Sequence, residues 1–319
     1  MRYEIAFIGV LFGALLPISA TQAEDLQPVP AVAASYATAA AMLDATWAKN
    51  RLVAVGDHGE VLLSDDQGKN FRQARSVPLS TPLTGVSFVD ADHGWAVGHW
   101  GAILVTSDGG ESWQIQRMAS DVDRPLFAVH FFNAQQGVAV GLWSLVLTTD
   151  DGGKTWSEQK LAPPPGSKRA DLNLMGLFSD GKGTLYATAE HGQLLASEDR
   201  GRTWRYIDTG YSGTLWSGAV LADGSLLVGG QRGTLMQGSA LGQDWQRIPV
   251  QSKGSVTRVV VSGQQVLAVG LDGLLVRSSD GGHSFQEQKA AEGAPLTRAV
   301  LEPDGSVALF SQRGVVPVP

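Results

Sequence analysis

Five aspartates recur at regular intervals, and their type and spacing are the first features that suggest chemistry. Each lies in a segment close to the form Ser/Thr-x-Asp-x-Gly-x-Ser/Thr-Trp/Phe. The five are Asp66, Asp108, Asp151, Asp199 and Asp280. Clustered carboxylates can hold a metal ion, but each of these belongs to a different repeat. A tight hairpin explains the pattern better, because Asp accepts hydrogen bonds from turn N–H groups and Gly tolerates positive φ. We therefore expect a structural role for them, with no metal and no cofactor.

Two arginines interrupt a series of small residues. Aligned segments of the repeats carry Ala45, Gly85, Ala128, Gly176, Ser217, Arg258 and Arg298 at one position. If these segments surround a channel, Arg258 and Arg298 lie side by side and can bind a carboxylate or phosphate through bidentate hydrogen bonds. The alternative is that they form structural ion pairs with Asp272, Glu302 or Asp304.

A variable turn forms a second candidate binding region. Its second residue in successive repeats is His58, Trp100, Trp143, His191, Arg232, Asp272 and Arg313. Turn tips need no aromatic residue for folding, and aromatics and Arg are enriched at protein-binding hot spots. Trp100, Trp143, Arg232 and Arg313 are therefore candidates for partner binding, together with the two channel arginines. Each Trp has the alternative of folding back over its own repeat.

A long repeat must position these residues. The aromatic residues that end the aspartate segments stand at positions 71, 113, 156, 204, 245 and 285, and a seventh repeat opens at Ser311. A period of about 40 residues with four strand-like pieces per repeat is typical of a β-propeller. We predict an all-β, seven-bladed β-propeller forming one domain over residues 24–319, with the repeats at about 40–319.

The ends of the repeat region predict how the ring closes. The seventh repeat lacks a fourth strand, and residues 28–37 precede the first repeat. We predict that this N-terminal segment supplies the missing outer strand and closes the ring, because closure leaves few exposed edges. The alternative is a short helix, because residues 31–42 are rich in alanine.

Composition and the N-terminus limit the class of protein. Residues 1–23 have the pattern of a secretory signal peptide, with an uncleaved membrane anchor as the alternative. We expect an exported, periplasmic monomer without a transmembrane segment in the mature chain. The 319 residues include no cysteine, which excludes disulfides and thiol chemistry, and the net charge of −7 argues against nucleic-acid binding.

The repeat resembles the Asp-box, or BNR, repeat, and especially that of the photosystem II stability/assembly factor family. The resemblance covers roughly residues 40–314 and is densest at 51–66 and 83–98. It implies a seven-bladed propeller without known catalysis that acts in assembly, in photosynthetic members on photosystem II at the thylakoid lumen side. Family members also carry an arginine patch on the propeller.

Enzymes with the same repeat provide the alternative function. Sialidases use a Tyr nucleophile, a carboxylate and an arginine clamp, and carry an Arg-Ile-Pro segment early in the domain. The segment Arg247–Pro249 comes late in this chain. We predict a non-catalytic scaffold that binds a protein of an envelope or membrane complex. A carbohydrate-binding or glycoside-hydrolase propeller and a structural subunit of a transporter-associated complex stay open as alternatives.

Overall fold

The computed structural model describes residues 27–119, 121–242, 244–301 and 305–317, and their strands form seven antiparallel sheets in chain order. The first sheet consists of β1 (Met42–Ala48), β2 (Arg51–Gly56), β3 (Val61–Ser64) and β4 (Arg72–Gln73). The second consists of β5 (Leu83–Phe88), β6 (Gly94–Gly98), β7 (Ile103–Thr106) and β8 (Gln114–Arg117). The third consists of β9 (Leu126–Phe131), β10 (Gly137–Gly141), β11 (Val146–Thr149) and β12 (Ser157–Glu158).

The remaining sheets repeat this order. The fourth consists of β13 (Leu174–Ser179), β14 (Leu185–Ala189), β15 (Gln193–Ser197) and β16 (Arg205–Asp208). The fifth consists of β17 (Leu215–Val220), β18 (Leu226–Gly230), β19 (Thr234–Gly238) and β20 (Gln246–Arg247). The sixth consists of β21 (Val256–Ser262), β22 (Gln265–Gly270), β23 (Leu274–Ser278) and β24 (Gln286–Lys289). The seventh consists of β25 (Leu296–Leu301), β26 (Val307–Ser311) and β27 (Gly314–Val316).

Helical structure is confined to short 3-10 turns within the described residues. They are Ala37–Ala39, Asp57–Gly59, His99–Gly101, Leu142–Ser144, Leu271–Gly273 and Ala291–Gly293. The prediction of an all-β, seven-bladed propeller is confirmed. The predicted signal peptide at residues 1–23 lies outside the described residues.

The core is divided among the interfaces between blades. Seven apolar clusters are present in the described residues, and each joins one blade to the next. The second strands are buried on both faces, as β6 shows from Gly94 to Gly98. The cluster between the last and first blades contains Phe310, which is fully buried and meets Phe71 edge to face at 5.7 Å. Apolar packing therefore joins the two ends of the repeat region.

The predicted closing strand is wrong. Residues 28–37 form no strand, and the described part of the seventh sheet ends with β27. The segment instead first follows the first blade, where the Ala31 N–H donates to Val77 O at 3.0 Å and the Ala34 N–H to Gln73 Oε1 at 3.0 Å, and then reaches the seventh blade at Thr38. A Cβ at Gly314 would collide with Thr38 O, so glycine permits the close passage. We call residues 27–40 the N-terminal strap.

Candidate functional site

Each aspartate of the repeat organises the hairpin between the third and fourth strands. In the third blade, Thr149 Oγ1 donates to Asp151 Oδ1 at 2.8 Å, and the Thr155 N–H donates to the same oxygen at 2.9 Å. The Gly153 N–H donates to Thr149 Oγ1 at 2.9 Å, and φ at Gly153 is +85°. Matching contacts surround Asp66, Asp108, Asp199 and Asp280. The aspartates therefore act within their own turns.

These contacts favour the charged form of the carboxylates. The backbone and hydroxyl groups of Thr155 lower the pKa of Asp151 to about 2. The side chain and backbone of Asn70 lower the pKa of Asp66 to about 2 as well. Hydrogen bonds to an ionised carboxylate stabilise that form, which is the physical cause of both shifts. Within the described residues no cluster of three or more His, Asp or Glu side chains could hold a metal ion.

The variable turns connect the second and third strands of each blade and lie around one mouth of the channel. The first strand of each blade is its inner strand, next to the channel. In six of the seven described turns, the first residue of the turn donates its N–H to the carbonyl just before this inner strand, as Leu142 does to Pro125 O at 3.0 Å. Antiparallel pairing places the aspartate hairpins at the opposite ends of the strands. We call the side with the variable turns the mouth face and the other side the Asp-box face.

The two turn tryptophans differ in exposure. Trp143 is 54% exposed and its φ is +52°, in the left-handed region. Trp100 also has a positive φ, of +59°, but is half-buried. The two turns are held alike, because the backbone N–H of Trp100 donates to Asp123 Oδ1 at 2.7 Å and that of Trp143 donates to Asn173 Oδ1 at 3.1 Å. The same turn position is left-handed in four other blades, so this conformation belongs to the turn, and exposure is what distinguishes the two tryptophans. Trp143 is thus the clearer candidate for contact with a partner.

The four candidate arginines fall into two groups. Arg232 and Arg313 are exposed at turn tips of the mouth face, in the fifth and seventh blades. Arg258 and Arg298 lie on the neighbouring inner strands β21 and β25 and line an enclosed part of the channel. The cavities that Arg258 and Arg298 line include neither Arg232 nor Arg313 among their described walls.

The first blade contributes Asp44 to the channel, which corrects the expectation of Ala45. Every inner strand has a register shift one residue after its first paired position, and in β1 the shift lies between Met42 and Asp44. Ala45 is buried against the seventh blade. We call the residues that follow the shift the collar, which consists of Asp44, Gly85, Ala128, Gly176, Ser217, Arg258 and Arg298.

Asp44 connects three blades. Its Oδ1 accepts a hydrogen bond from Arg298 Nε at 2.9 Å, and its Oδ2 accepts one from the Val86 N–H at 3.0 Å. Arg298 Nη1 also donates to Thr257 O at 3.2 Å and Thr297 O at 3.0 Å. The sequence alternative of a structural ion pair therefore applies to Arg298, but with Asp44 as the partner. The alternative partners Glu302 and Asp304 lie outside the described residues.

Arg258 is the less satisfied of the two channel arginines. Its Nε is buried and has no hydrogen-bond partner in the described part of the chain. Burial lowers the pKa of Arg258 below its ordinary value, while the charge of Asp44 acts in the opposite direction. A guanidinium nevertheless stays protonated in a protein. The channel therefore holds a half-buried cation, one of whose donors, Nε, is buried and has no partner among the described residues.

Two cavities that share four lining residues lie one above the other in the channel. The upper one, of about 260 Å³, opens on the mouth face between Leu271 and Gln312. The lower one, of about 140 Å³, contains Asp44, Arg258 and Arg298. Three apolar side chains and Arg298 line both: Phe127, Met175 and Trp216. We call the upper cavity the mouth cavity and the lower one the chamber.

Histidine is the remaining titratable residue of the chamber. His130 lines it, and burial lowers the pKa of His130 to about 4. Its ring meets Phe132 edge to face at 4.8 Å. At neutral pH the imidazole is therefore uncharged. Sequence reasoning missed His130, although the alignment of the repeats places it near the end of the inner strand of the third blade.

A further cavity lies outside the channel. It measures about 820 Å³ and is located on the Asp-box face between the fifth and sixth blades. The fifth repeat has Gly238 and Ala240 where the other repeats have Ser or Thr and Asp. The loss of these two polar side chains coincides with the open groove.

Known families and structures agree with this architecture. The model of the photosynthesis system II assembly factor YCF48 family matches residues 73–170. The resemblance to the photosystem II assembly factor family is confirmed. The match begins at the end of the first blade and covers the second and third blades and most of the connection after them. Among curated proteins, none matches the chain.

Solved structures extend the likeness to the whole ring. YCF48 bound to D1 peptide has a TM-score of 0.72 at 19% identity, over 88% of this chain and 93% of that one. YCF48 from Cyanidioschyzon merolae has a TM-score of 0.71 at 16% identity, over 88% and 95%. An ancestral GH74 enzyme has a TM-score of 0.70 at 12% identity, and the match spans 91% of this chain but 46% of the enzyme. At these identities the comparisons show the shared fold.

Over the residues that the structure describes, none of the helices combines the length and apolar character that crossing a bilayer requires.

Proposed function

We propose that this chain is an exported scaffold or assembly factor that binds a protein partner with its mouth face and performs no bond chemistry. The partner belongs to a membrane or envelope complex, and the location is the periplasm, or the lumen side of thylakoids in a photosynthetic organism. The family resemblance supports an assembly role, and one matched structure is described as YCF48 bound to D1 peptide.

The observation that carries the proposal is the exposed turn of Trp143. A tryptophan that is 54% exposed in left-handed backbone gains little for the fold and has a conformational cost. Aromatic residues on rigid supports are effective binding anchors because few rotamers must be fixed on association. The blade beneath supplies that rigidity, because β10 is buried from Gly137 to Gly141.

Charge complements this aromatic anchor. Arg232 and Arg313 are exposed on the same face, while the whole chain has a net charge of −7. A local basic rim on an acidic protein attracts an acidic segment of a partner and disfavours unrelated basic surfaces. We therefore propose a partner segment with apolar and acidic residues close together.

A glycoside hydrolase is the alternative class. Glycosidases use two carboxylates on either side of the scissile bond. Of the described residues that line the mouth cavity and the chamber, Asp44 is the one with a carboxylate, and Arg298 occupies its Oδ1. The GH74 likeness is one of fold, so the proposal assigns binding to this face.

The proposal is tested by affinity capture from solubilised envelopes. The baits are wild type, a mouth-face variant with Trp143→Gly, Arg232→Ala and Arg313→Ala, and an Asp-box-face control with Leu241→Ala and Arg200→Ala. Leu241 is 80% exposed, so the control also removes an exposed apolar side chain. Captured proteins are identified by mass spectrometry, and folding is checked by circular dichroism.

We expect one membrane protein complex to be captured by wild type and by the control, and to be lost by the mouth-face variant. Equal capture by all three baits would contradict the assignment of the mouth face. Capture of no protein by any bait, together with binding to a glycan array, would favour the carbohydrate alternative.

A further inference from the structure

The charges in the chamber do not balance. Asp44 and Arg298 form a partly buried pair, with side chains 12% and 18% exposed. Arg258 adds a second guanidinium, and His130 is neutral because its pKa is about 4. The described groups that line the chamber therefore leave one net positive charge. Arg258 is half-buried and the nearby carboxylate of Asp44 is already paired with Arg298, so the excess positive charge favours a further anion.

The unfilled donor lies at the chamber. Arg258 lines it, and its Nε is buried without a hydrogen-bond partner in the described part of the chain. Arg298 uses Nε on Asp44 and Nη1 on two backbone carbonyls. Arg298 thus has a structural role in joining blades, and Arg258 is the arginine that is available to a ligand.

The net charge selects the type of anion. A single excess positive charge balances a carboxylate. A phosphate or sulfate would bring a further negative charge close to Asp44, where repulsion is strong at reduced dielectric. A planar carboxylate also matches the donor geometry of a guanidinium.

The side chains that line the two cavities determine which kind of group can be attached to the carboxylate. Phe127, Met175 and Trp216 line both the chamber and the mouth cavity above it. With Leu43 they make one side of the mouth cavity apolar. The chamber, at about 140 Å³, exceeds the space of one water, which occupies about 30 Å³ in the liquid. A ligand whose carboxylate occupies the chamber would therefore place the rest of its chain against these side chains, and an apolar chain fits them best.

We propose that the propeller channel is a binding site for a small apolar monocarboxylate, whose carboxylate pairs with Arg258 and whose chain lies against Phe127, Met175 and Trp216. This site is separate from the exposed rim of the mouth face and needs no protein partner. It goes beyond the scaffold function, because it gives the propeller a small-molecule ligand.

The test is isothermal titration calorimetry of the purified full chain with hexanoate at neutral pH. Acetate tests the apolar wall, 1-hexanol tests the charge, and hexyl phosphate tests the selection of a monoanion. The variants are Arg258→Met, which keeps the length of the side chain, and Ala128→Leu, which fills the chamber without changing its charge. Arg232→Met, at an exposed turn of the mouth face, is the matched control.

We expect hexanoate to bind wild type and Arg232→Met equally, and to bind Arg258→Met and Ala128→Leu at least about tenfold more weakly. Acetate, 1-hexanol and hexyl phosphate should each bind wild type more weakly than hexanoate. If Arg258→Met does not fold, Ala128→Leu still decides the location. Absence of hexanoate binding to wild type, or binding unchanged by Ala128→Leu, would overturn the proposal. Partner capture does not enter the measurement, so its failure leaves this result intact.

Discussion

Arg298 in the seventh blade donates from Nε to Asp44 Oδ1 in the first blade at 2.9 Å, across the point where the ring closes. Asp44 Oδ2 in turn accepts the Val86 N–H of the second blade. One carboxylate therefore holds the end of the repeat region to its beginning and joins the first two blades. The absence of a closing strand over residues 28–37 makes this contact important for stability.

Asp44→Asn is expected to destabilise the protein by about 3 kcal/mol. The amide keeps an oxygen for the Val86 N–H but leaves Arg298 beside Arg258 without a counter-charge, and breaking a buried pair in this way is strongly destabilising. Urea unfolding monitored by circular dichroism measures the effect. Glu158→Gln is the control, because Glu158 pairs with Arg124 at the surface and such pairs contribute about 0–1 kcal/mol. Similar losses in both variants would argue against a special role for Asp44.

Trp143→Gly is expected to be more stable than Trp143→Ala by about 1 kcal/mol. The residue has a φ of +52°, which glycine adopts without the steric cost that a Cβ brings. Both variants remove the exposed indole, so the difference in their stability measures the steric cost of a Cβ in this left-handed backbone. Thermal unfolding of the pair gives the value. If the alanine variant is the more stable, the turn is not strained at this position.

Acid is expected to destabilise the protein through His130 at pH values where carboxylates are still ionised. Its pKa is about 4 in the folded chain, compared with about 6.5 in an unfolded chain. Between these values the unfolded state binds more protons, so the free energy of unfolding falls as pH falls. The contribution is fully present above pH ~6.5, and about 3 kcal/mol of it is lost by pH ~4.

His130→Asn should remove this dependence. Urea unfolding of wild type and variant at about pH 7, 5.5 and 4 measures it. His58→Asn, at an exposed turn, is the control. The neighbouring charges Asp44, Arg258 and Arg298 are present in all three proteins. A variant as sensitive to acid as wild type would show that other groups cause the dependence.

The Asp-box carboxylates are expected to make the stability of the protein depend on pH in a lower range than His130 does. The pKa of Asp151 is about 2 in the folded chain and about 3.9 in an unfolded chain. Its contribution is present above pH ~3.9 and is lost as pH falls towards 2. Asp151→Asn should be less stable than wild type at pH 7 and should lose less stability on acidification. The acid-unfolding transition is compared with that of Asp171→Asn, an exposed residue outside the hairpins.

Local patterns in the sequence were sufficient for the blades and their hairpins. The Asp-box hydrogen bonds of the first blade all lie between Ser64 and Asn70, so the sequence pattern itself contains the turn. The positions of the variable turns in the chain were also predicted correctly, because the repeat aligns these turns directly. The exposure of Trp143 and the partial burial of Trp100 could not be predicted, since they depend on the segments packed beside each turn.

The closure and the channel depend on contacts between distant residues. Asp44 was missed because the first repeat was aligned one residue too far along the chain. All the inner strands share the same register shift, so matching Met42 to Leu83 would have identified Asp44. The strap was misjudged because its length fits a strand, whereas Pro28 and Pro30 lack N–H groups for pairing. The partnership of Arg298 with Asp44 joins residues 254 positions apart and becomes visible once the ring is formed.

Thr297 Oγ1 donates to Met42 O at 2.6 Å over a separation of 255 residues, whereas the equivalent bond from Thr84 to Leu126 spans 42. Bringing together the more distant pair costs about 1.6 kcal/mol more in chain entropy. Blades formed early in synthesis can pack on one another in order, but the first blade must wait for the last. We therefore expect an open chain of stacked blades to precede the ring during folding, with the seam between the seventh and first blades the last to form.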